Sequence, residues 1–325
     1  SDTTANTFIV SDPVRYLGAT GIAGAVVSPD GHTVTVPFSS VTGTQILVNT
    51  LAGDDSLTVD FSAGNFGKTV RFDGGSGGSD SLTLTGGATF GSVAHTFTNV
   101  STGFVDVTGN STVHYTGLEP ITDNLIAIDR TFTFTETDET VTLADTGAAG
   151  DTKSIIDSTL GEAVTFVNPT GSLTVNLTNG TDTLNFNSLD SKEAGGAAFS
   201  ADLTIQGDGS DIVNFPISTI NLGAGSANIG TTVGQPIQTI NFTGGGLQTT
   251  SDVYLTAVGG ITTSSSSIDV TAANLVGVAG TGVTLDTQVT NLEADGGSGG
   301  VDIEDADALI IGGIGELVKR LMTKR

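Results

Sequence analysis

Residues 164–190 read VTFVNPTGSLTVNLTNGTDTLNFNSLD, and beyond an Ala/Gly-rich insert residues 201–213 read ADLTIQGDGSDIV. The same succession occurs upstream: residues 36–61 read VPFSSVTGTQILVNTLAGDDSLTVDF and residues 68–82 read KTVRFDGGSGGSDSL. In each copy a short strand ends at a Thr-Gly turn and a second apolar strand follows. A Gly-x-Asp-x-Leu turn then leads to two more strands and a second turn of the same kind. The first turns are GDDSL (53–57) and GTDTL (180–184); the second are GSDSL (78–82) and GSDIV (209–213). Two copies about 128 residues apart, agreeing in order and in turn chemistry, form an internal repeat. A repeat of this kind decides the architecture before any single element does.

Outward from the repeat, strands of four to seven residues recur along the chain. They are separated by Gly, Asn, Asp and Ser, which tolerate positive φ or bond their own backbone. Thr33–Pro37 alternates Thr with Val, the period of a half-buried strand. Residues 1–30 read as irregular with one strand near residues 7–10. Strands at this spacing allow a parallel β-solenoid or tandem β-sandwich modules. Three features favour the solenoid. A third partial copy, HTFTNVSTGFVDVTG from His95, implies units stacked on their neighbours. Aromatics are 6 % with no Trp, which leaves few plugs for a two-sheet sandwich. Thr and Ser outward with Val, Ile and Leu inward suit a narrow coil. At roughly 20–25 residues per turn and about 4.8 Å per layer, 13 to 15 turns would make a rod about 65–70 Å long. The expected organisation is therefore an N-terminal segment (1–30), a solenoid (31–314) carrying the repeat (about 36–90 and 164–215), and residues 315–325. This last segment places Leu317, Val318, Leu321 and Met322 on one helical face with Lys319, Arg320, Lys324 and Arg325 elsewhere. It reads as a basic amphipathic helix that caps the coil or docks on an acidic neighbour.

Gly makes up 46 of 325 residues, yet no Gly-X-Y period runs, which excludes collagen. The net charge is −25, and a surface of that sign repels phosphate backbones and excludes nucleic-acid binding. There is no Cys, hence no disulfide and no thiolate chemistry. The longest apolar run is far too short to span a bilayer. The chain begins with Ser and shows no signal peptide, which fits a processed product or an excised fragment.

The Gly-x-Asp turns share residues with the calcium-binding nonapeptide GGxGxDxUx, and QGDGSDIV (206–213) comes nearest. The turns are too far apart for a tandem calcium roll, but in a solenoid residues one level apart lie side by side. Asp54 or Asp55 would then neighbour Asp80, and Asp182 would neighbour Asp208 and Asp211. Stacked carboxylates repel unless a cation intervenes, so these six are the candidate calcium ligands. The alternative is that each Asp bonds backbone within its turn. The acids Asp302, Glu304, Asp305 and Asp307 read as a solvated edge. Catalysis finds no support: His32, His95 and His114 are scattered, Arg15, Arg71 and Arg130 share no motif, and no phosphate loop, zinc spacing or nucleophile elbow occurs.

GDDSLTVDF, DGGSGGSDSLTLTGG, HYTGLEPI, STLGEAVTFVNPTGSLTVN, GTTVGQPI and SSSIDVTAANLVGVAGTGVTLDTQVTNLEA resemble phrases of filamentous-haemagglutinin-like adhesins and related giant repeat-rich bacterial surface proteins. The resemblance covers most of residues 36–312 and is compositional. It implies a right-handed parallel β-helix, export, and an adhesive or scaffolding role. The chain is far shorter than those proteins and shows no secretion-signal domain, which fits a fragment or a self-standing subunit. The functional expectation is a non-enzymatic extracellular protein of a bacterial surface filament, sheath or adhesin. It would assemble with itself through its ends, residues 1–12 adding a strand to a neighbour's edge and 316–325 docking on it. The alternative is a monomeric module, stabilised by calcium, that binds glycans or a host surface.

Overall fold

Both copies of the repeat pair in the same way. In the first, Gln45–Asn49 lies parallel to Thr69–Asp73, and Ser56–Asp60 parallel to Ser81–Thr85. In the second, Ser172–Leu177 lies parallel to Asp202–Gln206, and Thr183–Phe186 parallel to Ile212–Phe215. First stacks on third and second on fourth, in register. The offset is 24 residues between Ile46 and Val70 but 30 between Leu173 and Leu203, the second span containing the Ala/Gly-rich insert.

The structure is a computed structural model that describes residues 7–11, 15–148, 150–190, 199–232 and 234–314. The described chain is all-β and contains no α-helix. Twenty-six strands join one extended sheet that is mostly parallel. The basic helix expected at 315–325 lies outside the described residues.

The longest ladder runs through nine strands, with Val93, Arg130, Leu173, Leu203, Ala227, Val253, Leu275, Leu292 and Ile311 in one register column. A second column links Val141, Leu184, Val213, Ile240, Ile261, Val283 and Val301. Alternation turns the apolar side chains of these columns inward up to Leu292 and Val283, where they form one continuous core, while Thr, Asn and Ser between them face out. The nine-strand ladder spans about 38 Å at about 4.8 Å per strand. That is shorter than the expected rod, because the interval between rungs reaches 43 residues between Arg130 and Leu173.

Much of the extra length goes into antiparallel detours, which were not expected. Phe90–Asn99 folds back on Thr102–Val107, which pairs in turn with Val113–Thr116. Thr140–Asp145, Lys153–Ser158 and Gly161–Val167 do the same. The segment read as a third repeat copy is thus a hairpin. At its tip the Ser101 N–H donates to Asn99 Oδ1 and closes a tight turn. In the matching TFVNPTGSLTVN stretch Thr170, the counterpart of Ser101, gives its N–H to the Ala127 carbonyl of the neighbouring rung instead, and the strands on either side do not pair with each other.

Two further readings change. Thr33–Pro37 belongs to a separate antiparallel sheet with Thr7–Ser11 and Val26–Val27, and the large sheet begins at Gln45. The core also carries rings: Phe61, Phe72, Phe97, Phe132, Phe134, Phe166, Phe186, Phe215 and Phe242 are all fully buried. In a parallel in-register sheet identical side chains stack, as Phe186, Phe215 and Phe242 do at centroid spacings of 5.8 and 4.8 Å. Outside the same three strands Asn185, Asn214 and Asn241 form an amide ladder, each donating Nδ2–H to the Oδ1 of the one before at 3.0 and 2.9 Å.

Candidate functional site

The turns are brought together as the repeat predicted, and Asp54, Asp80, Asp182, Asp208 and Asp211 each take up a backbone N–H of an adjacent turn, whereas Asp55 Oδ2 is buried without a partner. The Asp55 N–H donates to Asp80 Oδ1 (2.8 Å) and the Ser79 N–H to Asp54 Oδ1 (2.9 Å). The Asp182 N–H donates to Asp211 Oδ1 (3.0 Å), the Gly180 N–H to Asp208 Oδ2 (3.3 Å) and the Asp208 N–H to Asp211 Oδ2 (2.7 Å). Asp182 Oδ1 in turn accepts the Glu139 N–H at 2.9 Å. The glycines of the motif follow from this packing. Gly78 (φ +91°) and Gly180 (φ +119°) lie so close to the neighbouring turn that an added Cβ would sit 2.1 Å from Gly53 O and 2.9 Å from Asp138 N. Asp80, Asp182 and Asp211 are buried. Burial, with the Asp211, Asp208 and Asp138 charges, pushes the Asp182 carboxyl up to about 6 despite the Glu139 N–H. Burial raises Asp211 as well.

Among the described residues, one group of three metal-ligand side chains has its oxygens within 4.8 Å of one another: Asp145, Asp151 and Asp190. None of the six expected ligands belongs to it. Asp190 accepts the Gly150 and Thr152 N–H groups, both at 2.7 Å, and Asp151 accepts the Lys153 N–H and the Thr146 hydroxyl. Asp145 Oδ1 is buried without a partner.

The most unusual chemistry lies inside. His95, Asp123 and Arg130 are fully buried. His95 Nε2 is 2.8 Å from Asp123 Oδ2, and Arg130 bonds the same oxygen. Arg130 also donates to the Leu125 carbonyl (2.8 Å), and its guanidinium lies 5.5 Å from the centre of the Phe166 ring. The Leu125 N–H donates to Asp123 Oδ1 (2.9 Å). Burial opposes ionisation of Asp123, but the Arg130 charge and the His95 bond outweigh it and hold the carboxyl below its usual range. Burial holds the His95 imidazole down against Asp123. Arg130 occupies one position of a column that is otherwise aliphatic, between Val93 and Leu173. Sequence reading left these three residues apart. The signal was parity: His95 alternates with Val93 and Phe97, Arg130 with Phe132 and Phe134, and Asp123 with Ile121, all inward-facing.

Nearby, Tyr115 and Glu162 are buried with Tyr115 Oη and Glu162 Oε1 unpartnered. Burial, with the charges of Glu119 and Asp157, raises Glu162 to about 8. Open depressions lie on the surface of the described residues. One, of about 530 Å³, is bordered by Phe61, Asn65, Phe90 and Thr108. Another, of about 330 Å³, is bordered by Ile268, Asp286, Thr287, Glu304 and Asp305. No helix of the described residues is long and apolar enough to cross a membrane. Comparison with protein-family models, with curated proteins and with solved structures returned no match.

Proposed function

We propose that the chain is a right-handed parallel β-solenoid and a non-enzymatic structural element of a bacterial surface filament, sheath or adhesin. The observation that carries this reading is the nine-strand in-register column, apolar at eight rungs and sealed from solvent through its first eight. A stacked column of this kind holds extended shape by nearest-neighbour contacts. The buried His95–Asp123–Arg130 group supports a structural role, because substrate has no route to it. A net charge of −25 suits a soluble surface at the cell exterior.

The idea that N-terminal residues add a strand to a neighbour loses its basis, since Thr7–Ser11 already pairs with Thr33–Pro37. At the other end Val301–Asp305 and Ile310–Ile311 offer a strand edge, each paired on one side with residues 282–295. Electron microscopy with sedimentation across protein concentration tests the reading. Short rods that lengthen end to end support it, and globular particles at all concentrations count against it.

The depression beside Phe61 and Phe90 keeps a second reading in play, a glycan-binding module, because the residues bordering it carry no charge. A glycan array distinguishes the two: saturable binding that Asn65→Ala abolishes would favour the module. For calcium, the backbone bonds already made by Asp54, Asp80, Asp182, Asp208 and Asp211 favour carboxylates that shape turns. Millimolar calcium and chelator should give the same Tm; a calcium-dependent rise would return these turns, or Asp145, Asp151 and Asp190, to a metal role.

A further inference from the structure

The two ends of the core column are finished differently. Val93 through Leu275 are 0 % exposed and Leu292 is 4 % exposed, whereas Ile311 on the next rung is 74 % exposed. The second column ends the same way, with Val283 and then Val301 at 1 % and 47 %. The last rung of the described chain thus presents apolar side chains and an unpaired strand edge, a surface that solenoids and sheets ordinarily cover.

The charge around this end has one sign. Residues 199–314 contain twelve Asp and Glu and not one Lys, Arg or His, and seven of the twelve fall between Asp286 and Asp307. Asp286 and Glu304 are register neighbours on the outward face, and both border the depression of about 330 Å³ with Ile268. Asp305 is engaged within the fold, where its carboxylate accepts the Thr287 hydroxyl and the Val289 and Asp307 N–H groups. Of the three carboxylates at this depression, Asp286 and Glu304 are therefore the two placed to meet an incoming cation. They repel a second copy of the same edge and favour a cationic, partly apolar segment.

The chain itself supplies such a segment. After 122 residues without a base (193–314), residues 315–325 (GELVKRLMTKR) carry four cations against one acid, with four large apolar residues at helical spacing. Ile314, the last described residue, is tethered where its N–H donates to Glu293 Oε1 (3.0 Å). Eleven residues reach up to about 36 Å when extended, which is ample to recross the last rungs.

We propose that residues 315–325 dock in cis over this acidic end, their cations on Asp286 and Glu304 and their apolar side chains on Ile268, Val301 and Ile311. The segment would cover the edge at which another unit adds, making addition a competition between it and the incoming unit. The proposal rests on the scaffold reading for that consequence, not for the docking.

Amide hydrogen exchange of the full chain, at concentrations where sedimentation shows a monomer, tests the docking apart from assembly. The edge amides of 301–311 should be protected. Reversing the segment's charges (K319E, R320E, K324E and R325E together) should speed their exchange by about tenfold, the effect of a few exposed ion pairs. Adding D286K and E304K to that variant should restore protection. Unchanged exchange on reversal overturns the proposal, and so does failure of the second pair to restore it. Protection that rises with protein concentration would assign the segment to a second copy and overturn docking in cis. Loss of end-to-end assembly with these exchange results intact would instead count against the scaffold reading alone.

Discussion

At the scale of single residues, the energetics turn on charges held away from water. Removing Arg130 alone leaves Asp123 and His95 buried without their cation. Arg130→Leu should cost about 3–5 kcal/mol, whereas D123L/R130L together should cost much less, because the unpaired charge goes with its partner. Chemical denaturation of the three chains measures both. Glu162 acts in the opposite sense. Its folded pKa of about 8 lies above the ordinary carboxyl value, so its contribution is intact at acid pH and is lost as pH rises through 8. Glu139, raised to about 7, and Asp182 and Asp269, raised to about 6, add to the same trend. Tm should therefore fall between pH 5 and pH 8.5. Glu162→Gln should flatten the fall and stabilise the chain by a few kcal/mol at pH 8.5, since a carboxyl raised by one pH unit on folding costs about 1.4 kcal/mol once ionised. A Tm that rises over this range would contradict the account. Little of this was visible in the sequence: His95 and Asp123 are 28 residues apart, and only strand register makes them neighbours.

At the scale of the element, the repeat was legible because its turns are written in local chemistry. Gly gives positive φ and close approach, and Asp gives an acceptor for the turn one rung away. The stacked strands carried a further signal in the tetrapeptides TLNF, IVNF and TINF, at residues 183–186, 212–215 and 239–242, which place Asn outward and Phe inward at every rung. Asn214→Ala removes one acceptor and one donor from the amide ladder and should cost about 1 kcal/mol. Phe215→Ala empties the centre of the ring stack and should cost about 3–5 kcal/mol. Equal effects in thermal melts would mean that the outward Asn residues do more than bond. The hairpins at 90–107 and 140–158 were not legible: alternation is the same for a strand that turns back and one that continues, and the difference lies in turns such as Asn99–Thr102.

At the scale of the whole molecule, one ladder gives both the stacked register and the unlike ends, one covered by the antiparallel strand Thr102–Val107 and the other acidic and exposed. The mainly parallel sheet followed from repeat and composition; the number of rungs did not, because chain length spent in detours adds no height. The most direct test uses the absence of cysteine. Thr204 and Asn228 are register neighbours on adjacent strands, and Asn228 and Tyr254 form the next such pair. Neighbouring strands are about 4.8 Å apart, within disulfide reach, and strands two rungs apart are not. Under oxidation T204C/N228C should cross-link nearly completely and T204C/Y254C should remain reduced. Cross-linking of the second pair in preference to the first would contradict the stacked register on which the account depends.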